Sequence, residues 1–236
     1  MKQKGKLYLI PSPLGESDFS KIFPTYNSEI IQDIDHFIVE DLRTGRRFIK
    51  KLGMKKPMES LTFCLLNEHT KRSETETLLQ PCLEGKNIGL LSDAGTPCVA
   101  DPGNIIVTLA HQWQIEVCPL VGPNSIILAL MGSGFDGQNF AFNGYLHRDK
   151  KERERQLKFH ESILKKSGQT QIFIETPYRN NHFFQSMLAV CDTDTKICLA
   201  TNIATEEQSF RNFTVGKWKK IKVDIHKQPT VFLLGR

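Results

Sequence analysis

The sequence has no cysteine pair at metal-binding spacing. Cys64, Cys82, Cys98, Cys118, Cys191 and Cys198 form no CxxC, and no His/Cys cluster accompanies them. A zinc ribbon or a dithiol redox motif is therefore excluded, no metal site is expected, and the thiols read as reduced, mostly buried groups of a cytoplasmic protein. Long apolar runs are also missing. The longest uncharged stretch, Val117 to Phe135, is interrupted by Pro119, Gly122, Pro123 and Gly132, which argues against a membrane span. The basic N-terminus carries only Leu7 to Ile10 as an apolar stretch, too short for a secretory leader. There is no GxGxxG and no GxxxxGK[ST], so neither a dinucleotide fingerprint nor a P-loop is supported. No internal repeat or low-complexity segment is visible.

What is present is an ordinary globular composition, 39% apolar and 24% charged over 236 residues, enough for one large domain or two small ones. In the first half, short apolar runs alternate with helical patterns. LYLI (7–10), HFIVE (36–40), LTFCLL (61–66), NIGLLS (87–92) and IEVCPLV (115–121) read as strands, the last two buried on both faces. Between them, 44–52, 73–84 and 104–113 have helical spacing, and Ser73 with Glu76 forms a capping box. This alternation predicts a largely parallel α/β sheet. The second half reads differently. FAFNGYL (140–146), TQIFIE (170–175), KICLAT (196–201), SFRNFTV (209–215) and PTVFLLG (229–235) are strands, the last three with little room for helices between them, and helices fall near 151–166 and 178–190. The division predicted is an α/β domain over 1–119 and an α+β domain with a mixed sheet over 120–236.

Three loops of small and turn-forming residues follow predicted strands: PSPLGES (11–17), SDAGTPCVADPG (92–103) and VGPNS (121–125). Open α/β sheets bind ligands at the carboxyl ends of their strands. There Asp93 can accept hydrogen bonds from hydroxyls, and Ala94, Gly95 and Thr96 let the backbone approach a ligand. Asp101 reads as the N-cap of the helix opened by Pro102 and Gly103. At the third loop, the free amides of a helix start or the Ser125 hydroxyl can hold a polar group.

The net charge of +5 is modest, but basic residues cluster at 43–56 and 147–158. Such clusters suit a polyanionic partner. The second also contains Asp149, Glu152 and Glu154 at helix-pair spacing, so taken alone it reads first as a solvated helix face. Tyr145, Phe159 and Tyr178 lie among the basic residues, which suits bases splayed from an RNA strand or simple core packing.

Taken in order, LYLIPSPLG, VEDLRTGRRFIKKLG, NEHTKRSE, LLSDAGTPCVADPG, VGPNSIILALMGSG, FNGYLHRDKKERERQL, IFIETPYRN and PTVFLLG resemble the tetrapyrrole methylase-like, or class III, S-adenosylmethionine-dependent methyltransferases. Within that family they are most similar to the branch that methylates a cytidine ribose of small-subunit ribosomal RNA. The resemblance implies two α/β domains with S-adenosylmethionine in the cleft between them, a homodimer, and the small ribosomal subunit or its RNA as partner. It puts Leu14, Asp93, Gly95, Thr96, Ser125 and Ile126 on the cofactor from the first half, and Ile174, Asn202, Pro229 and Thr230 from the second. The chain departs from the family's common patterns at Ser12 to Glu16, at Leu42 within Glu40-Asp41-Leu42-Arg43, and before Glu68-His69, where a tyrosine is absent.

Methyl transfer to a ribose hydroxyl benefits from a base or from a cation that stabilises the developing alkoxide. Glu40, Asp41, Arg43, Glu68, His69 and Glu175 are the candidates. Glu175 either faces the cleft or balances Arg179 one turn later. Arg43, Arg148, Lys150, Lys151, Arg153 and Arg179 are the candidate RNA contacts. Two other functions fit the same residues: a methyltransferase for a small molecule such as a tetrapyrrole, and a cofactor- or RNA-binding member without catalysis.

Overall fold

The computed structural model describes residues 3–16, 18–67, 70 and 72–236, the side chains of 72 and 73 excepted. The chain separates into two compact units, 1–123 and 124–236.

The first unit carries a parallel sheet of β1 (Leu7–Ile10), β2 (His36–Val39), β3 (Thr62–Leu65), β4 (Ile88–Leu91) and β5 (Val117–Pro119), in the order β3-β2-β4-β1-β5. The two-residue period of a strand sends alternate side chains to opposite faces. Leu7, Leu9, Ile38, Ile88 and Leu90 enter one core, with Leu79 of α4 (Arg72–Leu83) and Ile106 and Leu109 of α5 (Asn104–Gln112). Ile10, Phe37, Val39 and Leu91 enter the other, with Ile31 of α2 (Thr25–Gln32) and Phe48 and Ile49 of α3 (Leu42–Lys51). β4 is buried along its whole length, as expected of a central strand with helices on both faces. β5 is not. It pairs only with β1, and its residues are partly or fully exposed, so the expectation of burial on both faces fails because β5 is an edge strand. Helix α1 (Phe19–Ile22) and α2, which the sequence pattern did not announce, lie on either side of Pro24. The capping box at Ser73 falls outside the described side chains.

The second unit has strands β6 (Phe140–Phe142), β7 (Thr170–Ile174), β8 (Lys196–Thr201), β9 (Ser209–Thr214) and β10 (Thr230–Gly235) in the order β6-β7-β10-β8-β9, with only β6 and β7 parallel. Helices α7 (Lys150–Ser167) and α8 (Asn180–Val190) cover one face with Leu157, Leu164, Phe183, Phe184 and Met187. Trp218, in the short α9 (Val215–Trp218), packs edge-on against Phe184 at 5.2 Å and donates its indole N–H to the Ile197 carbonyl at 2.8 Å. Helix α6 (Ser125–Ser133) packs on β8, β9 and β10. Gly132 permits this approach, since a Cβ there would stand 2.3 Å from the Phe210 ring.

Candidate functional site

In the first unit, β1 lies between β4 and β5, so the loops that leave the carboxyl ends of these strands are neighbours. They are joined through the backbone. Ser12 and Gly95 exchange two hydrogen bonds, Ser12 N–H to the Gly95 carbonyl at 2.8 Å and Gly95 N–H to the Ser12 carbonyl at 3.0 Å. Gly95 is left-handed at φ +80°, and a Cβ would meet Leu14 Cδ2 at 3.2 Å. Only glycine takes this conformation without strain. The third loop closes on the first at Gly122, where a Cβ would stand 2.2 Å from Pro11 Cγ. The Asn27 amide holds the same loop by donating to the Val121 carbonyl at 2.7 Å.

The β4 loop contains two further left-handed residues, Cys98 (φ 68°) and Ala100 (φ 63°), a conformation that costs about 1 kcal/mol or more outside glycine. Asp101 compensates, its Oδ1 accepting from the amides of Cys98 and Gly103 at 2.8 Å each. The N-cap position of α5 is Gly103 rather than Asp101, so the aspartate builds the turn that precedes the helix. At the root of the loop, Glu40 Oε1 accepts from the Ser92 hydroxyl and the Asp93 amide at 3.1 Å each. Burial raises the Glu40 pKa against these two bonds, which favour the charged form. Asp93 is exposed as a residue, yet its carboxyl is desolvated enough to raise its pKa, with the Asp41 and Asp101 charges adding to the effect. Its carboxyl also accepts the Asp41 amide, which works against that rise.

In the second unit, strand register brings four of the expected residues to one end of the sheet. Val231 faces Ile174, Thr230 faces Thr201, and the Asn202 amide donates to the Pro229 carbonyl at 2.9 Å. Asn202 is left-handed (φ 49°), and its carbonyl accepts the Thr205 hydroxyl at 2.8 Å. Thr230 is buried and donates to the Gln228 carbonyl at 2.9 Å. Ser125 and Ile126 open α6, but the amides there are not free as expected. Asn124 Oδ1 caps the helix and accepts from Ile126 and Ile127 at 2.9 and 3.0 Å, which leaves the Ser125 hydroxyl as that segment's polar group.

The remaining candidates separate by partner. Asp41 is the N-cap of α3, accepting from Thr44 N–H at 2.8 Å, and this bond lowers its pKa. Arg43, two residues on, is exposed. The Glu175 side chain is 1% exposed, ion-paired to Arg179 and bonded to the Thr176 amide at 2.7 Å, which is the balanced-pair alternative and engages both residues. Arg153 corrects the expectation of an RNA contact. It is 7% exposed, and its guanidinium donates to Ser186 Oγ at 3.1 Å and to the Arg148 carbonyl at 2.9 Å. Arg148, Lys150 and Lys151 are exposed, with Lys150 3.8 Å from Glu154. Glu68 and His69 lie outside the described residues. The loops that carry Ser12 and Gly122 stand out in the sequence, but their contacts with Gly95 and Pro11 do not, because nothing local announces a pairing between segments so distant in the chain.

Burial raises the thiols of Cys82, Cys191 and Cys198 to about 12, and no group of three or more potential metal ligands occurs among the described residues. No described helix is long and apolar enough to cross a membrane.

No family model matches the chain. Solved structures with similar folds include the methyltransferase CobJ, at a TM-score of 0.65 and 14% identity, covering 98% of this chain and 94% of that one. The cobalt precorrin-4 methyltransferase CbiF of cobalamin biosynthesis follows at a TM-score of 0.60 and 13% identity, with coverage of 98% and 94%. A parallel five-stranded sheet followed by a mixed one, in the topology of these enzymes, defines the tetrapyrrole methylase fold. Among curated relatives, the ribosomal RNA small subunit methyltransferase I of Vibrio cholerae is 31% identical over 212 residues, 89% of this chain and 69% of the relative. The protein of the same name from Thermotoga maritima is 30% identical over 206 residues, 87% of this chain and 86% of the relative. The chain belongs to the family of ribosomal RNA small subunit methyltransferase I, and it is a methyltransferase.

Proposed function

We propose that the protein transfers a methyl group from S-adenosylmethionine to the 2′-oxygen of a cytidine ribose in small-subunit ribosomal RNA. The observation that carries this reading is the set of loops joined at Ser12 and Gly95 beside the Asp93 carboxylate, in a chain whose relatives are named for small-subunit rRNA methylation. The residues fit a nucleoside-type cofactor. Gly95 leaves open a space that a Cβ would fill beside Leu14, and Asp93 offers a partly desolvated carboxylate for hydroxyl donors. The cofactor contacts are assigned to Leu14, Asp93, Gly95, Thr96, Ser125, Ile126, Ile174, Asn202, Pro229 and Thr230.

Bound there, the cofactor supplies a methyl group already activated on a sulfonium. The protein then has to orient the acceptor hydroxyl in line and exclude water. Arg43, exposed at the first turn of α3, serves as the cation for the developing alkoxide. Glu68 and His69 are retained as candidates for the base. Asp41 and Glu175 act through structure, as cap and as ion-pair partner. Arg148, Lys150 and Lys151 meet RNA phosphates. The enzyme works in the cytoplasm as a homodimer, for which Ile127 and Met131, exposed one turn apart on α6, supply apolar surface.

The test is incorporation of a labelled methyl group from S-adenosylmethionine into purified small ribosomal subunits or their naked RNA, followed by nucleoside digestion. Label on the ribose of cytidine is the expected result. Label on a base, or none on RNA while a tetrapyrrole is methylated, would sink the proposal.

A further inference from the structure

A third basic stretch, beside the two that stand out in the sequence, carries less compensation than the run at 147–158. Lys217, Lys219, Lys220, Lys222 and Lys227 share their segment with one acid, Asp224, and all five lysines are exposed. None is in an ion pair with another described residue. In α7, by contrast, Lys150 approaches Glu154 and Arg155 pairs with Glu152. Asp224 is itself occupied, accepting from the Asn181 side chain at 2.8 Å and the His226 amide at 3.0 Å.

The segment runs back along α8 toward the end of the sheet that holds Ile174, Asn202 and Thr230. Trp218 packs on Phe184, Asp224 binds Asn181, and Lys227 N–H donates to the Pro177 carbonyl at 3.0 Å. It ends beside Tyr178, four residues beyond Ile174 and 67% exposed. The Tyr178 ring meets the His226 ring edge-on at 5.9 Å, and Lys227 Nζ stands 5.6 Å from its centroid. Both loops are fixed from below by buried Asn180, whose side-chain amide donates to the Gln228 carbonyl at 2.6 Å. Lys227 is held left-handed at φ 61°, a conformation that a lysine adopts only when its surroundings impose it. An exposed aromatic ring on a rigid support, flanked by Lys227 and the His226 ring and approached by a lysine track without ion-pair partners among the described residues, has the composition of a surface for single-stranded nucleic acid.

We propose that the Lys217–Lys227 track and Tyr178 form the surface along which single-stranded RNA reaches the active site, with the lysines on successive phosphates and one unpaired base stacked on Tyr178. The proposal rests on the RNA methyltransferase reading above. It adds the strand's path and its single-stranded character, and it assigns to this segment a role that the run at 147–158 fills only in part.

The test uses the full chain and two probes, a short labelled single-stranded oligoribonucleotide and purified small ribosomal subunits, with calorimetric binding of S-adenosylmethionine as the control for an intact cofactor site. Tyr178→Ala is expected to weaken oligonucleotide binding by about tenfold or more, the scale of one lost base stack, and Tyr178→Phe to restore it. Joint replacement of Lys219, Lys220, Lys222 and Lys227 by Gln is expected to lower the log–log salt slope by up to about 3, since each single-strand phosphate contact contributes about 0.7. Duplex RNA should bind more weakly and ignore the Tyr178 change. If Tyr178→Ala and the lysine variant bind and are methylation-competent like the wild type, this surface is wrong while the methyltransferase reading stands. If the wild type binds cofactor but neither probe and methylates neither, both fall together.

Discussion

Each unit positions the residues proposed for cofactor binding by different means. In the first, the expected residues sit on loops that are welded through main-chain bonds and left-handed positions, Ser12 to Gly95 and Gly122 against Pro11. In the second, they are aligned by strand register, Ile174 opposite Val231 and Thr201 opposite Thr230, and by side chains such as Asn124 and Asn180 that bind backbone groups. The first arrangement tolerates little change at glycine. The second places its demands on buried polar side chains, and it is there that charge counted along the sequence misleads.

Arg153 gives the sharpest test of that difference. Its guanidinium satisfies Ser186 and the Arg148 carbonyl in the interior, so Arg153→Ala should cost about 2–4 kcal/mol of stability, the scale for losing buried charge-assisted bonds and packing. Denaturant unfolding would show this. A variant as stable as the wild type but with weakened RNA binding would return Arg153 to the RNA-contact role proposed for its neighbours. Asp93→Ala comes next. Cofactor affinity should fall about 100-fold without lowering the unfolding midpoint, as expected when a carboxylate that accepts hydroxyl donors is removed, and wild-type affinity by calorimetry would move the site off this loop. Gly95→Ala should weaken the cofactor by about tenfold and cost about 1–2 kcal/mol, from a left-handed φ and the contact with Leu14. An alanine that changes neither would show that the Ser12–Gly95 weld is incidental.

The smallest effect concerns pH. The folded-state pKa of Asp93 is raised by burial and by neighbouring carboxylates. The folded protein therefore binds this proton more tightly than the unfolded chain, and stability declines as pH rises from the unfolded to the folded pKa. Cofactor binding needs the carboxylate and should change the other way, weakening as pH falls through the raised value. Calorimetry and thermal unfolding across mildly acidic pH should show these opposite trends, and Asp93→Asn should remove both. Parallel trends would mean that another group controls the titration.

Much of this was legible in the sequence because the first half repeats one unit, a short apolar run and a helix, whose periods differ. The loops at 11–17 and 92–103 stood out by their small residues. The edge position of β5 did not, because IEVCPLV is as apolar as a central strand and only its neighbours decide what covers it. Nor did the burial of Arg153 stand out in a run of charges. Its spacing with Leu157, Glu161 and Leu164, all buried on one stripe of α7, was the available signal, and charge counting overrode it. The lysines at 217–227 went unremarked because they are interleaved with Trp218, Ile221 and Ile225, which fill or border the core.

The Ser12–Gly95 pair also bears on affinity. Two loops that would each sample many conformations alone are joined by a pair of hydrogen bonds formed as the sheet forms. Their disorder is lost when the chain folds, not when a ligand arrives, so little of a ligand's interaction energy is spent in ordering them. A cofactor that meets Leu14 on one loop and Thr96 on the other meets a single body, and a disturbance at either residue is transmitted to its counterpart across one peptide width.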